Sequence, residues 1–172
     1  CWEQLKLTPH NYFVVTLHRP ANVDGEKHLL QLLQAIAEGT RGLPVVFPVH
    51  PRTAKNLREL DSKTPHLNYV DPLSYLEFNY LVNHAKGVIT DSGGITEETT
   101  VLGIPCLTLR DNTERPETIT IGTNELVGTD PSKLPPALAR LMAGQWKKGA
   151  IPPMWDGKAA PRIVEHLQRL LA

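Results

Sequence analysis

Two cysteines in 172 residues, Cys1 and Cys106, leave no disulfide framework to staple the chain. Neither sits in a C-x-x-C spacing, so a structural zinc site lacks its ligands too. Cys106 falls in an apolar run and reads as inert core. No apolar run approaches the roughly 20 residues of a membrane-spanning helix, and no signal-peptide pattern is visible. Charge of neither sign dominates, since eighteen Lys and Arg offset eighteen Asp and Glu. A neutral chain without a basic cluster argues against nucleic acid or an anionic membrane as the main partner. A reducing cytoplasm fits this composition.

What is present is a regular alternation. Tyr12–Leu17, Val45–Val49, Leu67–Val70, Val88–Thr90, Cys106–Leu109 and Glu125–Val127 read as short strands rich in β-branched and apolar residues. Between and after them the helical period predicts Glu26–Glu38, Thr53–Leu60, Tyr75–His84, Ile95–Leu102, Pro116–Ile121, Ser132–Ala143 and Lys158–Leu171. Asp24 reads as the cap of the first full helix, Pro116 as a first-turn residue, and Gly103 and Gly122 as helix stops. Residues Gly144 to Gly157 read as a loop packed by Trp146 and Trp155. Strand–helix alternation at this spacing predicts an α/β fold: a Rossmann-like, doubly wound parallel sheet of about six strands. At this length one domain is expected.

In such sheets ligands bind outside the carboxyl ends of the strands. Those ends carry His18-Arg19, His50-Pro51-Arg52, Asp71-Pro72, Asp91 to Gly94, and Arg110 to Arg115. The most informative is Thr90-Asp91-Ser92-Gly93-Gly94-Ile95-Thr96-Glu97-Glu98. A buried strand that turns through Ser-Gly-Gly into a helix presents backbone N–H groups that suit a phosphate. Glu98, four residues after Gly94, shares its helix face and could accept from a sugar diol. The alternative is a tight turn with Asp91 or Ser92 as a cap, and Glu98 as a solvated helix residue. The turn is neither G-x-G-x-x-G nor a P-loop. His18 reads either as a titratable group aimed at ligand phosphates or as a strand-end histidine bonded to backbone, and His50 likewise. The charged loop Arg110 to Glu117 reads as a salt-bridged turn or as an arginine clamp on phosphate. No histidine pair has defensible metal-ligand spacing.

Three long motifs together resemble one family. Leu17-His18-Arg19-Pro20-Ala21-Asn22-Val23-Asp24 resembles the T-x-H-R-x-x-N segment of the non-hydrolysing UDP-N-acetylglucosamine 2-epimerases. The Thr90 to Glu98 segment resembles theirs as well, and Leu109 to Glu117 resembles their R-x-x-T-E-R-P-E block. Gly122, Leu126-Val127-Gly128 and Asp156-Gly157-Lys158-Ala159 fit the later pattern, so the likeness covers essentially the whole chain.

The resemblance implies the C-terminal, UDP-binding half of a two-domain GT-B enzyme, in which Cys1 to Leu5 would lie mid-helix and an N-terminal catalytic half would be missing. It implies an isomerase that interconverts UDP-N-acetylglucosamine and UDP-N-acetylmannosamine by anti elimination of UDP to 2-acetamidoglucal and re-addition. Such an enzyme supplies N-acetylmannosamine units for bacterial cell-surface polysaccharides. It implies a cytoplasmic homodimer when intact, with no metal or other cofactor. By the same resemblance Ser92, Gly93 and Gly94 would hold phosphate, Glu98 the ribose, Arg115 the diphosphate, and Leu73 and Phe78 the uracil. His18 would be catalytic, and the isolated chain would be inactive.

Two segments depart from many bacterial members, which carry H-R-R-E-N and P-V-H-x-N-P at a second, activating substrate site. Here His18-Arg19-Pro20-Ala21-Asn22 and Pro48-Val49-His50-Pro51-Arg52 stand in those places. Arg19 and His50 are thereby the candidates for an interface or regulatory role. Open alternatives are the donor domain of a GT-B glycosyltransferase, a non-catalytic UDP-binding module, and an epimerase for a related UDP-diacetamido sugar.

Overall fold

The computed structural model describes residues 2, 4–49, 53, 54, 57, 64 and 66–171. Six strands form one all-parallel sheet: β1 (Phe13–Thr16), β2 (Val45–Pro48), β3 (Leu67–Val70), β4 (Gly87–Thr90), β5 (Cys106–Thr108) and β6 (Asn124–Leu126). Their order across the sheet is β3-β2-β1-β4-β5-β6. The chain starts at the middle, winds outward through β2 and β3, then returns to pair β4 with β1 from Phe13↔Gly87 to Thr16↔Thr90. The winding direction reverses between β1 and β4, where doubly wound folds bind ligands. This is the Rossmann-like sheet the alternation predicts.

The strand period of two sorts side chains onto two buried faces. Phe13, Val15, Val45, Phe47, Ile89 and Leu107 face one core, where they meet Leu29, Leu32, Leu33 and Ile36 of α2 (Glu26–Gly39). Leu134, Leu138 and Leu141 of α6 (Leu134–Met142) close the same side. Tyr12, Val14, Val46, Val88 and Cys106 face the other core with Leu81 and Val82 of α3 (Tyr75–Asn83). Ile95 and Leu102 of α4 (Gly93–Leu102) pack there too. Burial on both faces explains why these strands read as continuous apolar runs. Each such side chain contributes about 1.5–3 kcal/mol when fully buried. Cys106 is wholly buried, and burial pushes its thiol up to about 12, in keeping with an inert core residue.

Several boundaries differ from the sequence reading. A short helix α1 (Pro20–Val23) occupies what reads as loop, its start set by Pro20. Asp24 ends that helix, and Gly25 holds the cap position of α2. α4 begins at Gly93 rather than Ile95, so the Ser-Gly-Gly turn is already the first helical turn. The predicted Ser132–Ala143 helix splits into a 3-10 turn, Pro131–Lys133, started by the Asp130 carboxylate, followed by α6. α5 (Pro116–Thr120) opens on Pro116, and α7 (Ala159–Leu171) closes the described chain. Gly103 caps α4 with φ 72°, a left-handed conformation that glycine adopts without strain. Most of Thr53–Leu60 lies outside the described residues, though Thr53, Ala54 and Leu57 are helical. Trp2, Gln4 and Leu5 lie in or beside turns rather than mid-helix, with the Trp2 ring set edge-on against Tyr12, Tyr80 and His84. Cys1 and Glu3 lie outside the described residues. The Gly144–Gly157 loop is pinned by Trp146, whose Nε1 donates to the Thr123 carbonyl at 2.7 Å.

Candidate functional site

A cleft of about 400 Å³ opens at the carboxyl ends of β1, β2 and β3 and at the start of α4. Thr16, Leu17 and His18 enter it from β1, and Pro48 and Val49 from β2. The loop after β3 adds Pro72 and Leu73, and α3 adds Tyr75 and Phe78. Ser92, Gly94, Ile95 and Glu98 of the turn and helix α4 complete the lining. The lining is thus apolar and aromatic at Leu73, Tyr75 and Phe78 and polar at Ser92 and Glu98. An aromatic plate beside a helix N-terminus suits a ligand with a flat ring and an anionic group.

Of the residues singled out from sequence, His18, Leu73, Phe78, Ser92, Gly94 and Glu98 line this one cleft. Gly93 does not line it. A side chain there would face Glu114 Oε2 at 3.5 Å and an Arg110 guanidinium nitrogen at 3.6 Å. Arg115 also lies off the cleft lining, paired through Nε with Glu97. His50 lies outside the described residues. Ser92 holds the N-cap position of α4, yet its side chain makes no capping bond. Its own N–H donates to Thr90 Oγ1 at 3.0 Å.

The charged loop after β5 is internally paired, as one of its two sequence readings predicts. Arg110 is buried and holds Glu114 through two parallel bonds, both 2.7 Å. That fork and the desolvation of the guanidinium act in opposite directions, and the fork prevails, raising the Arg110 value. The same fork draws the Glu114 carboxyl down to about 2. Arg19 faces Glu114 at 3.8 Å, and its Nε donates to the Asp91 carbonyl at 2.9 Å.

Sequence reasoning treats Asp91 only as a cap, but the structure makes it the hub of the site. It is wholly buried at the end of β4. Its carboxylate accepts from the His18 N–H at 3.1 Å, the Arg19 N–H at 2.9 Å and Asn22 Nδ2 at 3.0 Å. His18 Nδ1 stands 2.8 Å from Oδ1. Burial opposes the charge on Asp91, but the bonds from His18, Asn22 and Arg19 outweigh it and hold the carboxyl below its usual range. Asn22 Nδ2 also donates to the Leu109 carbonyl at 3.0 Å, tying the ends of β1, β4 and β5 together. A buried carboxylate with this many donors is worth several kcal/mol to the arrangement if one partner is lost (about 1–3 kcal/mol per orphaned group). Glu98 differs. Burial in the cleft, with Glu97 adjacent, pushes its carboxyl up.

A family model described as UDP-N-acetylglucosamine 2-epimerase matches residues 2–168. The chain belongs to this family. It is 39% identical to the UDP-N-acetylglucosamine 2-epimerase of Methanocaldococcus jannaschii over 166 residues, covering 91% of this chain and 44% of that protein. It therefore spans less than half the length of the curated epimerases it matches. The crystal structure of the M. jannaschii epimerase in complex with UDP-GlcNAc and UDP superposes with a TM-score of 0.79 at 37% identity, over 97% of this chain and 48% of that one. The Neisseria meningitidis epimerase bound to UDP-GlcNAc gives a TM-score of 0.79 at 31% identity, over 92% of this chain and 45% of that one. No helix among the described residues is long and apolar enough to cross a membrane, and no group of three or more metal-ligating side chains occurs among them.

Proposed function

We propose that this chain is the UDP-binding half of a non-hydrolysing UDP-N-acetylglucosamine 2-epimerase. The observation that carries the reading is the cleft at the β1/β4 reversal, lined both by Leu73, Tyr75 and Phe78 and by the first turn of α4. In this reading Leu73 and Phe78 receive the uracil, Glu98 the ribose hydroxyls, and Ser92 and Gly94 the diphosphate. Arg115 swings from Glu97 to the diphosphate when the ligand arrives. His18 meets the departing β-phosphate.

The reaction we assign to the intact enzyme interconverts UDP-N-acetylglucosamine and UDP-N-acetylmannosamine. The C2 proton is removed, the C1–O bond breaks, and UDP leaves with its bonding electrons to give 2-acetamidoglucal. The proton returns to C2 on the opposite face as UDP re-adds at C1. This half binds and holds the UDP produced midway, and the groups that move the C2 proton belong to a second domain. The homodimer, the cytoplasmic location and the supply of N-acetylmannosamine to surface polysaccharides are parts of the same proposal. The free, buried Cys106 fits a reducing compartment.

The outer surface fits an enzyme half. α7 buries none of its residues, yet Ile163, Val164, Leu167 and Leu170 form an exposed apolar stripe along it. We assign that stripe to contact with the second domain. The test is calorimetry with UDP and an epimerisation assay on the 172-residue chain. Helix-terminus and charge contacts of about 0.3–2 kcal/mol each predict micromolar-to-millimolar UDP binding and no turnover. Epimerisation by this chain alone, or no UDP binding at millimolar ligand, would overturn the reading.

A further inference from the structure

We propose that Asp91 is the positioning residue of this site, fixing the His18 imidazole through Nδ1 so that Nε2 is the ring nitrogen presented to the cleft. The inference rests on the UDP-half reading above and adds a residue and a tautomer to it.

Four donors converge on the Asp91 carboxylate: two backbone N–H groups, the Asn22 amide and the His18 ring. The two backbone donors belong to His18 and Arg19, so the same carboxylate holds both the histidine's main chain and its side chain. Asn22 braces Oδ2 from the far side, and its second bond anchors it to β5. Asp91 itself cannot drift. It ends β4, it is wholly buried, and its carbonyl accepts from Arg19 Nε. The imidazole, by contrast, is 42% exposed and lines the cleft. A half-exposed ring gripped at one nitrogen by a buried carboxylate has its other nitrogen aimed by that grip. With Asp91 ionised, the neutral ring carries its proton on Nδ1, the reverse of the ordinary preference of histidine. To donate to an anionic group beside Ser92 the ring needs a second proton, on Nε2, and is then a donor on both sides. It then lies between a fixed carboxylate and the ligand phosphate. This gives the hydrogen bond that matters a direction set before the ligand binds.

Asp91 does not line the cleft, so its effect on a ligand there passes through His18. Two measurements test this. The first is a long-range ¹H–¹⁵N correlation spectrum of the labelled 172-residue chain, with His18 assigned by its loss in His18→Ala. The expected result is an Nδ1–H tautomer for neutral His18. An Nε2–H tautomer in a chain that binds UDP by calorimetry overturns the proposal while leaving the UDP reading in place. Failure to bind UDP overturns the reading and the proposal with it.

The second measurement is steady-state kinetics of the full-length enzyme carrying Asp91→Asn, His18→Ala or both. Asp91→Asn keeps the shape but has one acceptor oxygen in place of two; the three donors at the Oδ2 position claim that oxygen, so an NH₂ faces the His18 ring and the grip through Nδ1–H is lost. The expected result is a kcat about 10²-fold lower or more with KM little changed, and a double variant no worse than His18→Ala alone. A further large loss on adding Asp91→Asn to His18→Ala, or a loss confined to KM, overturns the proposal. If Asp91→Asn does not fold, the wild-type tautomer decides alone.

Discussion

Arg115 donates through Nε to Glu97, and that pair keeps the guanidinium off the cleft lining to which Glu98 contributes. Adjacent helical residues project about 100° apart, so Glu97 and Glu98 look in different directions and do different work. Arg115 is half exposed and Glu97 only slightly less so, which puts the pair in the class of surface ion pairs worth about 0–1 kcal/mol. Such a latch is weak enough for a diphosphate to open.

Glu97→Gln therefore releases Arg115 at little cost to the fold. The expected outcome is UDP affinity up by about threefold to fivefold, the equivalent of under about 1 kcal/mol. Arg115→Ala lowers affinity, and Glu97→Gln gives no gain in the Arg115→Ala background. Isothermal calorimetry on the three variants checks this. Equal affinities for wild type and Arg115→Ala would place the arginine in a purely structural pair.

Glu98 is predicted to trade stability for binding. Burial, with Glu97 adjacent, raises its carboxyl above the usual range in the ligand-free fold. A group raised on folding gives its full support below its unfolded value and loses it as pH rises through the folded value. Ionised Glu98 is thus a small burden at neutral pH. Glu98→Gln should raise neutral-pH stability slightly, by under about 1 kcal/mol given its solvent contact, seen as a small rise in melting temperature. The gain should fade below the ordinary glutamate range near about pH 4.3. The same change, or Glu98→Ala, should weaken UDP binding by about 1.5–3 kcal/mol through loss of a charged acceptor. Thermal unfolding at two pH values and calorimetry at neutral pH test both halves. Unchanged UDP affinity would return Glu98 to the role of a solvated helix residue.

The sheet is legible because its central strands β1, β2, β4 and β5 are buried on both faces and its elements are separated by well-punctuated helices. Leu67–Val70 was read to the residue. The errors fall at element starts set by a single residue, through a ring-fixed φ or a side-chain hydrogen bond. Pro20 starts a helix in what reads as loop, and Asp130 starts a 3-10 turn ahead of α6. The cleft wall from Ser92 to Glu98 could be read because glycines and a carboxylate at helical spacing have a local physical meaning. Asp91 could not be read as a hub, since its donors His18, Arg19 and Asn22 precede it by 69 to 73 residues. Their convergence exists only once β1 and β4 pair. Nor does sequence distinguish an arginine that clamps phosphate from one paired with Glu97. The signal that could have flagged Asp91 is chemical: an aspartate ending a strand buried along its whole length needs partners.

Removing α7 should leave the isolated chain folded. The helix has no buried residue, so truncation after Asp156 deletes little core. Thermal unfolding of the truncated chain should match that of the parent within the usual range of about 0.5 kcal/mol for surface changes, and circular dichroism should lose only the helical signal of α7. In the full-length enzyme, Leu167→Glu should instead lower the melting temperature or kcat, because a charge would enter the contact assigned to that stripe. An inert Leu167→Glu in the full-length enzyme would leave the stripe without the second domain as its partner.

His18→Ala should reduce turnover more than UDP affinity. The imidazole lines the cleft beside Ser92, across the β1/β4 reversal. A contact equally strong in the ground state and the transition state would alter KM alone. A donor aimed at the β-phosphate acts most where charge develops, as the C1–O bond breaks and UDP departs. General acid assistance of this kind contributes about 10²–10⁴-fold, so kcat of the full-length enzyme should fall within that range. UDP binding to the isolated chain should weaken far less, because the first turn of α4 and Glu98 remain. Steady-state kinetics on UDP-N-acetylglucosamine, set beside calorimetry with UDP, separates the two effects. A rise in KM with kcat intact would make His18 a phosphate ligand that takes no part in breaking the bond.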